Sequence, residues 1–155
     1  MVFTEAKEEG ELIEDNRAWY AQDEKGNVWY LGERAGEFEK GKVTMTKGSW
    51  EAGVDGAKAG VVMPARPKVG MACREEYAKG IAQDNAEVFS LRERAEVPYG
   101  KFRSHVPLIK ETSPLDPPGA LDYKFYARGI GPVLGLEISG GSDREELVSF
   151  RRRPR

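Results

Sequence analysis

The sequence predicts an all-β protein: an antiparallel curved sheet, half-barrel or barrel of about nine or ten strands with long Gly- and Pro-rich loops. Three observations predict it. Apolar and polar residues alternate with period two through most of the chain, while helical spacing of apolar residues is scarce. Eighteen Gly and nine Pro are scattered through 155 residues, which leaves little room for a long helix between breakers. Trp19-Tyr20 and Trp29-Tyr30 bracket the polar run Asp23-Glu24-Lys25-Gly26-Asn27, so two strand-favouring ends are joined by a tight reversal.

Residues 2–7 and 12–22 alternate on either side of Glu8-Glu9-Gly10-Glu11 and make a first hairpin. Residues 28–33 complete a second, with Gly26 supplying the positive φ of a type I turn followed by a G1 bulge. Phe38-Glu39-Lys40-Gly41-Lys42-Val43 reads as another tight reversal. From 50 to 67, Gly53, Gly56, Gly60, Pro64 and Pro67 are spaced too closely for a long element, so this stretch reads as loop. Strands resume at 71–77, 86–94 and 101–111, the last two separated by Pro98-Tyr99-Gly100; the run 74–79 also admits a helical turn. Three prolines in Ser113-Pro114-Leu115-Asp116-Pro117-Pro118-Gly119 remove backbone donors and fix φ, which makes a stiff connector. Strands at 121–126, 133–139 and 146–151 follow, separated by turns at Gly129-Ile130-Gly131 and Gly140-Gly141-Ser142. The organisation expected is a single β domain over 1–150 and a basic tail over 151–155.

Composition excludes several classes of function. With 24 basic and 26 acidic residues the net charge is -2, so no global field attracts nucleic acid, and the one basic cluster, Arg151-Arg152-Arg153-Pro154-Arg155, reads as a solvated tail. Cys73 is the only cysteine, which leaves no partner for an intramolecular disulfide or a Cys-based zinc site. No run approaches the ~20 apolar residues that span a bilayer as a helix, and Val2-Phe3-Thr4-Glu5-Ala6-Lys7 is no signal peptide. Asp23-Glu24-Lys25-Gly26-Asn27 carries oxygen donors of the kind calcium accepts, but Lys25 occupies an interior ligand position and turn chemistry accounts for the run. No metal and no cofactor are expected.

Candidate catalytic residues are few. His105 is the only histidine, and alternation places it on the same strand face as Arg103. Glu75, Glu76, Asp84, Glu87 and Glu111 lie on or beside expected strands, where an inward carboxylate can act as acid or base. Of these, Glu87, Glu111 and His105 are the candidates for catalysis, although no Gly-x-Ser-x-Gly elbow accompanies the histidine. The glycine runs at 129–131 and 140–142 precede no helix, so they do not read as phosphate loops. The aromatic residues are the better guide. Trp19 and Tyr20, like Trp29 and Tyr30, must point to opposite faces of their strands, so one of each pair can enter the core while the other is displayed. Trp19, Tyr20, Trp29, Tyr30, Trp50 and Tyr126 are the candidate ligand-binding residues.

The chain also resembles a family of uncharacterised bacterial envelope or secreted β-rich proteins. The resemblance rests on Tyr20-Ala21-Gln22-Asp23 with Gly26-Asn27-Val28-Trp29-Tyr30-Leu31-Gly32-Glu33, and on Gly48-Ser49-Trp50-Glu51-Ala52-Gly53-Val54-Asp55-Gly56-Ala57-Lys58. It continues through Met63-Pro64-Ala65, Val97-Pro98-Tyr99-Gly100 and Tyr126-Ala127-Arg128-Gly129-Ile130-Gly131. It implies an envelope or secreted location and an amino end shortened by some strands, with His105 standing where that family carries Cys. An open sheet edge then implies a homodimer or strand exchange. The broader shape is that of curved antiparallel lipoprotein carriers, open on one side. Three functions follow: a non-enzymatic β domain that binds an apolar or aromatic small molecule or a partner chain in its concavity; an enzyme that uses His105 or an inward carboxylate; and a structural domain that oligomerises through a sheet edge.

Overall fold

Period-two alternation produces strand over the greater part of the chain, and among the described residues there is no helix. The computed structural model describes residues 1–8, 11–45 and 47–151, so the tip of the first expected hairpin and most of the basic tail lie outside the described residues. The strands are β1 (Val2–Glu8), β2 (Glu11–Gln22), β3 (Val28–Arg34), β4 (Glu37–Glu39), β5 (Lys42–Met45), β6 (Trp50–Glu51) and β7 (Lys58–Met63). They continue with β8 (Ala72–Arg74), β9 (Glu76–Tyr77), β10 (Asn85–Val97), β11 (Gly100–Thr112), β12 (Leu121–Ala127), β13 (Gly131–Ser139) and β14 (Arg144–Glu146). Fourteen strands exceed the expected count because β4, β5, β6, β8, β9 and β14 are two to four residues long. Pieces that short carry no measurable period.

Two compact units form, one from 1–66 with 73–85 and the other from 67–72 with 86 onward. In the first, the sheet runs β5-β4-β2-β3-β7-β9, with β1 also on β2 and β6 also on β3. In the second, β14-β13-β12-β11-β10 lie in order, and Gly70 and Met71 exchange backbone bonds with Val88. These strands pair antiparallel. Neither sheet closes, so the barrel form of the expectation gives way to open sheets. Closure requires end strands long enough to pair with one another, and β5, β9 and β14 are only four, two and three residues long.

The turns show why the local readings hold or fail. Lys40 and Gly41 have φ of 50° and 74°, a two-residue reversal of the mirror-image type that matches strand twist, between Glu39 and Lys42 in register. The stretch from 50 to 67, expected as loop, contains β6 and β7. Gly53 and Gly56 do make a turn there, at φ of 90° and 79°. Gly60 is instead a strand residue without room for a side chain, because the backbone of Arg74 and Glu75 occupies the place of its Cβ. The strand expected at 71–77 is interrupted at Glu75, whose N–H donates to the Asp84 carbonyl, and the alternative helical turn does not form; Ala78 and Ala82 form a β-bridge instead. The last strand lies earlier than 146–151. Leu147, just past β14, still donates its N–H to the carbonyl of Val133, next in the same register, and its own carbonyl accepts from the Tyr99 N–H.

Each unit has its own core. Tyr30, Trp50, Ala57, Val62, Ala78 and Ala82 form the first, with Ala18, Tyr20, Val28 and Ala52 against it. Alanine supplies little volume, so the rings fill it: Tyr20 stacks on its register partner Tyr30 at 4.7 Å between centroids, and Trp50 meets Tyr30 edge-on at 5.2 Å. The second core gathers Ala95, Val97, Ala127, Val133 and Leu134, with Phe102, Phe125 and Leu136 packed on it.

Candidate functional site

The site grows out of the hairpin between β2 and β3. Its turn closes by Gly26 N–H to the Asp23 carbonyl at 3.0 Å, with Gly26 at φ of 97°, which is the expected type I turn with its glycine bulge. Asp23 then organises everything around it. One carboxylate oxygen accepts from the N–H groups of Lys25 and Asn27, both at 2.9 Å; the other accepts from Asn27 Nδ2 at 2.8 Å and from Trp29 Nε1 at 3.0 Å. Those bonds, led by the indole and the Asn27 amide, hold the Asp23 carboxyl down at about 2. The consequence for Trp29 is positional. Its ring is pinned at the nitrogen, and the hairpin is anchored in turn by Asn27, whose side-chain oxygen accepts from the Ala65 N–H at 2.8 Å.

Trp29 thereby forms one wall of a groove of about 540 Å³, bordered also by Lys58, Ala59, Gly60, Val61, Cys73, Arg74 and Tyr77. That volume lies within the ~300–1,000 Å³ of small-molecule sites. Sheet register builds it: Trp29 faces Val61 across β3 and β7, and Lys58 faces Tyr77 across β7 and β9. The Arg74 guanidinium lies 5.1 Å from the centre of the Tyr77 ring, a cation–π contact that orients it. Neither Lys58 nor Arg74 takes part in an ion pair among the described residues. Burial, and then the charge of Glu75, push the Cys73 thiol up to about 11. It therefore stays protonated near neutrality, and thiolate chemistry is suppressed.

No family model, curated protein or solved structure matches the chain. The site is therefore read from its own geometry.

The residues singled out from sequence are dispersed. Trp29 lines the groove, while its neighbour Tyr30 lies in the core, the division that strand alternation requires. The Tyr30 hydroxyl donates to Glu33, and burial first, then Tyr20 and Glu33, raise its pKa far above the ordinary phenol range. Tyr20 and Trp50 pack beside it, so this trio forms core. The Trp19 ring covers Gly32, where an added Cβ would come within 2.7 Å of it. Tyr126 is buried in the second unit.

The catalytic candidates do not converge. His105 is exposed, at φ of 56°, and Arg103 and Ser104 before it are exposed too. Glu111 is six residues away on the same strand, about 20 Å at the usual rise of ~3.3 Å, and it is buried against Lys124 at 2.7 Å. Glu87 is exposed on β10. Glu75 and Glu76 are buried in the first unit. Among the described residues no group of three or more His, Cys, Asp or Glu side chains is arranged to hold a metal.

Sequence reasoning does not single out Lys58, Cys73, Arg74 or Tyr77 as binding residues. Lys58 follows the turn glycines, and Arg74 and Tyr77 belong to strands of three and two residues, so no local pattern marks them. A smaller groove of about 220 Å³, lined in part by Asp15, Arg17, Arg34 and Phe38, falls below the usual ligand range, and its Arg17 is already bound to Asp15 at 3.3 Å.

Proposed function

We propose that the protein is a non-enzymatic binding domain that takes an aromatic or apolar small molecule in the groove of its first unit, against Trp29. The observation that carries this reading is the fixed indole: a ring held through its nitrogen by Asp23 on the wall of a ligand-sized groove. A preorganised ring loses little freedom when a ligand packs on it, which favours binding. The chemistry around it argues against the enzymatic alternative. The Cys73 thiol bordering the groove stays protonated near neutrality, and His105, Glu87 and Glu111 are not among the residues that line it.

Ligand-detected NMR with a set of small aromatic compounds tests this. Binding that disappears in Trp29→Ala but survives in Tyr126→Phe supports the groove; equal binding to both variants refutes it. A second reading, self-association through a sheet edge, has one observation in its favour: among the described residues β1 pairs with β2 alone. Its exposed Glu5 and Lys7 are the charges that blunt such edges, so the edge is at least partly protected. A constant monomer mass by light scattering over a wide concentration range excludes it.

A further inference from the structure

We infer that the ligand of this groove carries an anionic group, a carboxylate or phosphate on an aromatic body, held between Lys58 and Arg74. The inference rests on the groove being the binding site and adds the charge of its occupant. Among the described residues five cations pair with a carboxylate, Lys101 with Glu96 at 2.6 Å, Arg144 with Glu146 at 2.6 Å and Lys124 with Glu111 at 2.7 Å among them, and Lys58 and Arg74 are not of these five. The groove is bordered by these two cations and by no carboxylate, so its lining is cationic. Glu75 and Glu76, next along the chain from Arg74, are buried and do not line it.

Geometry adds to charge. The Arg74 guanidinium carbon lies over the Tyr77 ring at 5.1 Å, and a guanidinium carries a planar fork of donors that matches a carboxylate or phosphate in bidentate fashion. Lys58 lies directly opposite Tyr77 in register across β7 and β9, and the Arg74 guanidinium lies over the Tyr77 ring, so Tyr77 is the common neighbour of both cations. The groove thus offers a ring platform and two cationic groups to one small molecule.

The test varies the charged group on a constant ring. Titration calorimetry at moderate salt compares 2-naphthoate and 2-naphthyl phosphate with neutral 2-naphthylmethanol and cationic 2-naphthylmethylamine. The anions are expected to bind about tenfold tighter than the alcohol, the yield of two partly exposed ion pairs at under about 1 kcal/mol each. The preference is expected to weaken with salt and to disappear in Lys58→Gln/Arg74→Gln; both side chains are exposed, so folding is not at stake. Arg74→Lys should keep part of it, because charge remains while the planar fork is lost. If the alcohol binds as tightly as the anions, the groove stands and the inference fails. If the amine binds tightest, the inference fails outright. If no probe binds in a way that depends on Trp29, the groove itself is not the site, and both fall.

Discussion

Substituting Gly60 by alanine tests whether the groove and the first unit share one structural constraint. A Cβ at Gly60 would lie within 3.0 Å of the Arg74 carbonyl oxygen and of the Glu75 carbonyl group, whereas ordinary contact begins at 3.4 Å. These are backbone atoms next to the short ladder in which Ala59 pairs with Glu76 and Lys58 with Tyr77, so they cannot rotate away as a side chain would. Either the 74–75 segment retreats by roughly an ångström or the ladder breaks; ordinary overpacking already costs about 1–3 kcal/mol, and rigid backbone puts this case at the upper end or beyond. At about 3 kcal/mol the thermal midpoint should fall by some 6–12 °C for a chain of this size. Gly100→Ala is the control, because nothing lies within 4 Å of its Cβ position and its φ is not positive; its midpoint should stay near that of the parent protein. Differential scanning fluorimetry on the two variants settles the comparison. A Gly60→Ala midpoint within about 1 °C of Gly100→Ala would falsify the claim that Arg74 and Glu75 cross over this glycine.

Three further outcomes are expected. Because Tyr30 has a raised pKa when folded, its contribution is intact below the usual phenol value of 10.0 and is lost as pH rises above it. Stability should therefore fall by an extra ~1.4 kcal/mol per pH unit above pH 10; Tyr30→Phe removes that slope, and absorbance at 295 nm should show a tyrosine that ionises only on unfolding in the parent protein and is absent from Tyr30→Phe. Asp23 has the opposite sign: its depressed pKa gives stability that is complete above the ordinary 3.8 and lost as pH falls through about 2. In urea melts the deficit of Asp23→Asn should be constant above pH 5 and shrink from about pH 4 towards pH 2; a deficit that does not change with pH contradicts the bonding described. Lys124→Met leaves the buried Glu111 carboxylate without its cation and should cost about 3 kcal/mol, more than Lys124→Met/Glu111→Leu, as a double-mutant cycle would show.

What was legible in the sequence follows a physical boundary. The hairpin of β2 and β3 could be read to its turn type, because Gly26 needs positive φ and the flanking residues alternate; both are local facts. The same alternation sends Tyr30 inward and leaves Trp29 for the groove wall, so one residue of the groove lining was legible from local pattern. It did not show which aromatic residues were displayed in this unit, since Tyr20 and Trp50 are drawn onto Tyr30 by tertiary packing.

Gly60 marks where local reading stops. In sequence it is one of a series of breakers between Gly53 and Pro67, yet in the fold it is the glycine that lets a distant segment pass over β7. That crossing carries Cys73, Arg74 and Tyr77 to Lys58 and Trp29, and so creates the groove. Its cause is a close approach of two backbones far apart in sequence, which no period or propensity encodes. His105 is a second case: an only histidine invites a catalytic reading, but in the fold it is exposed, with Arg103 and Ser104 exposed before it. Gly60→Ala therefore probes more than stability. If the groove exists because Gly60 permits the crossing, the variant should lose Trp29-dependent ligand binding at temperatures where it is still folded, whereas a purely thermodynamic role for the glycine would leave binding by the folded fraction intact.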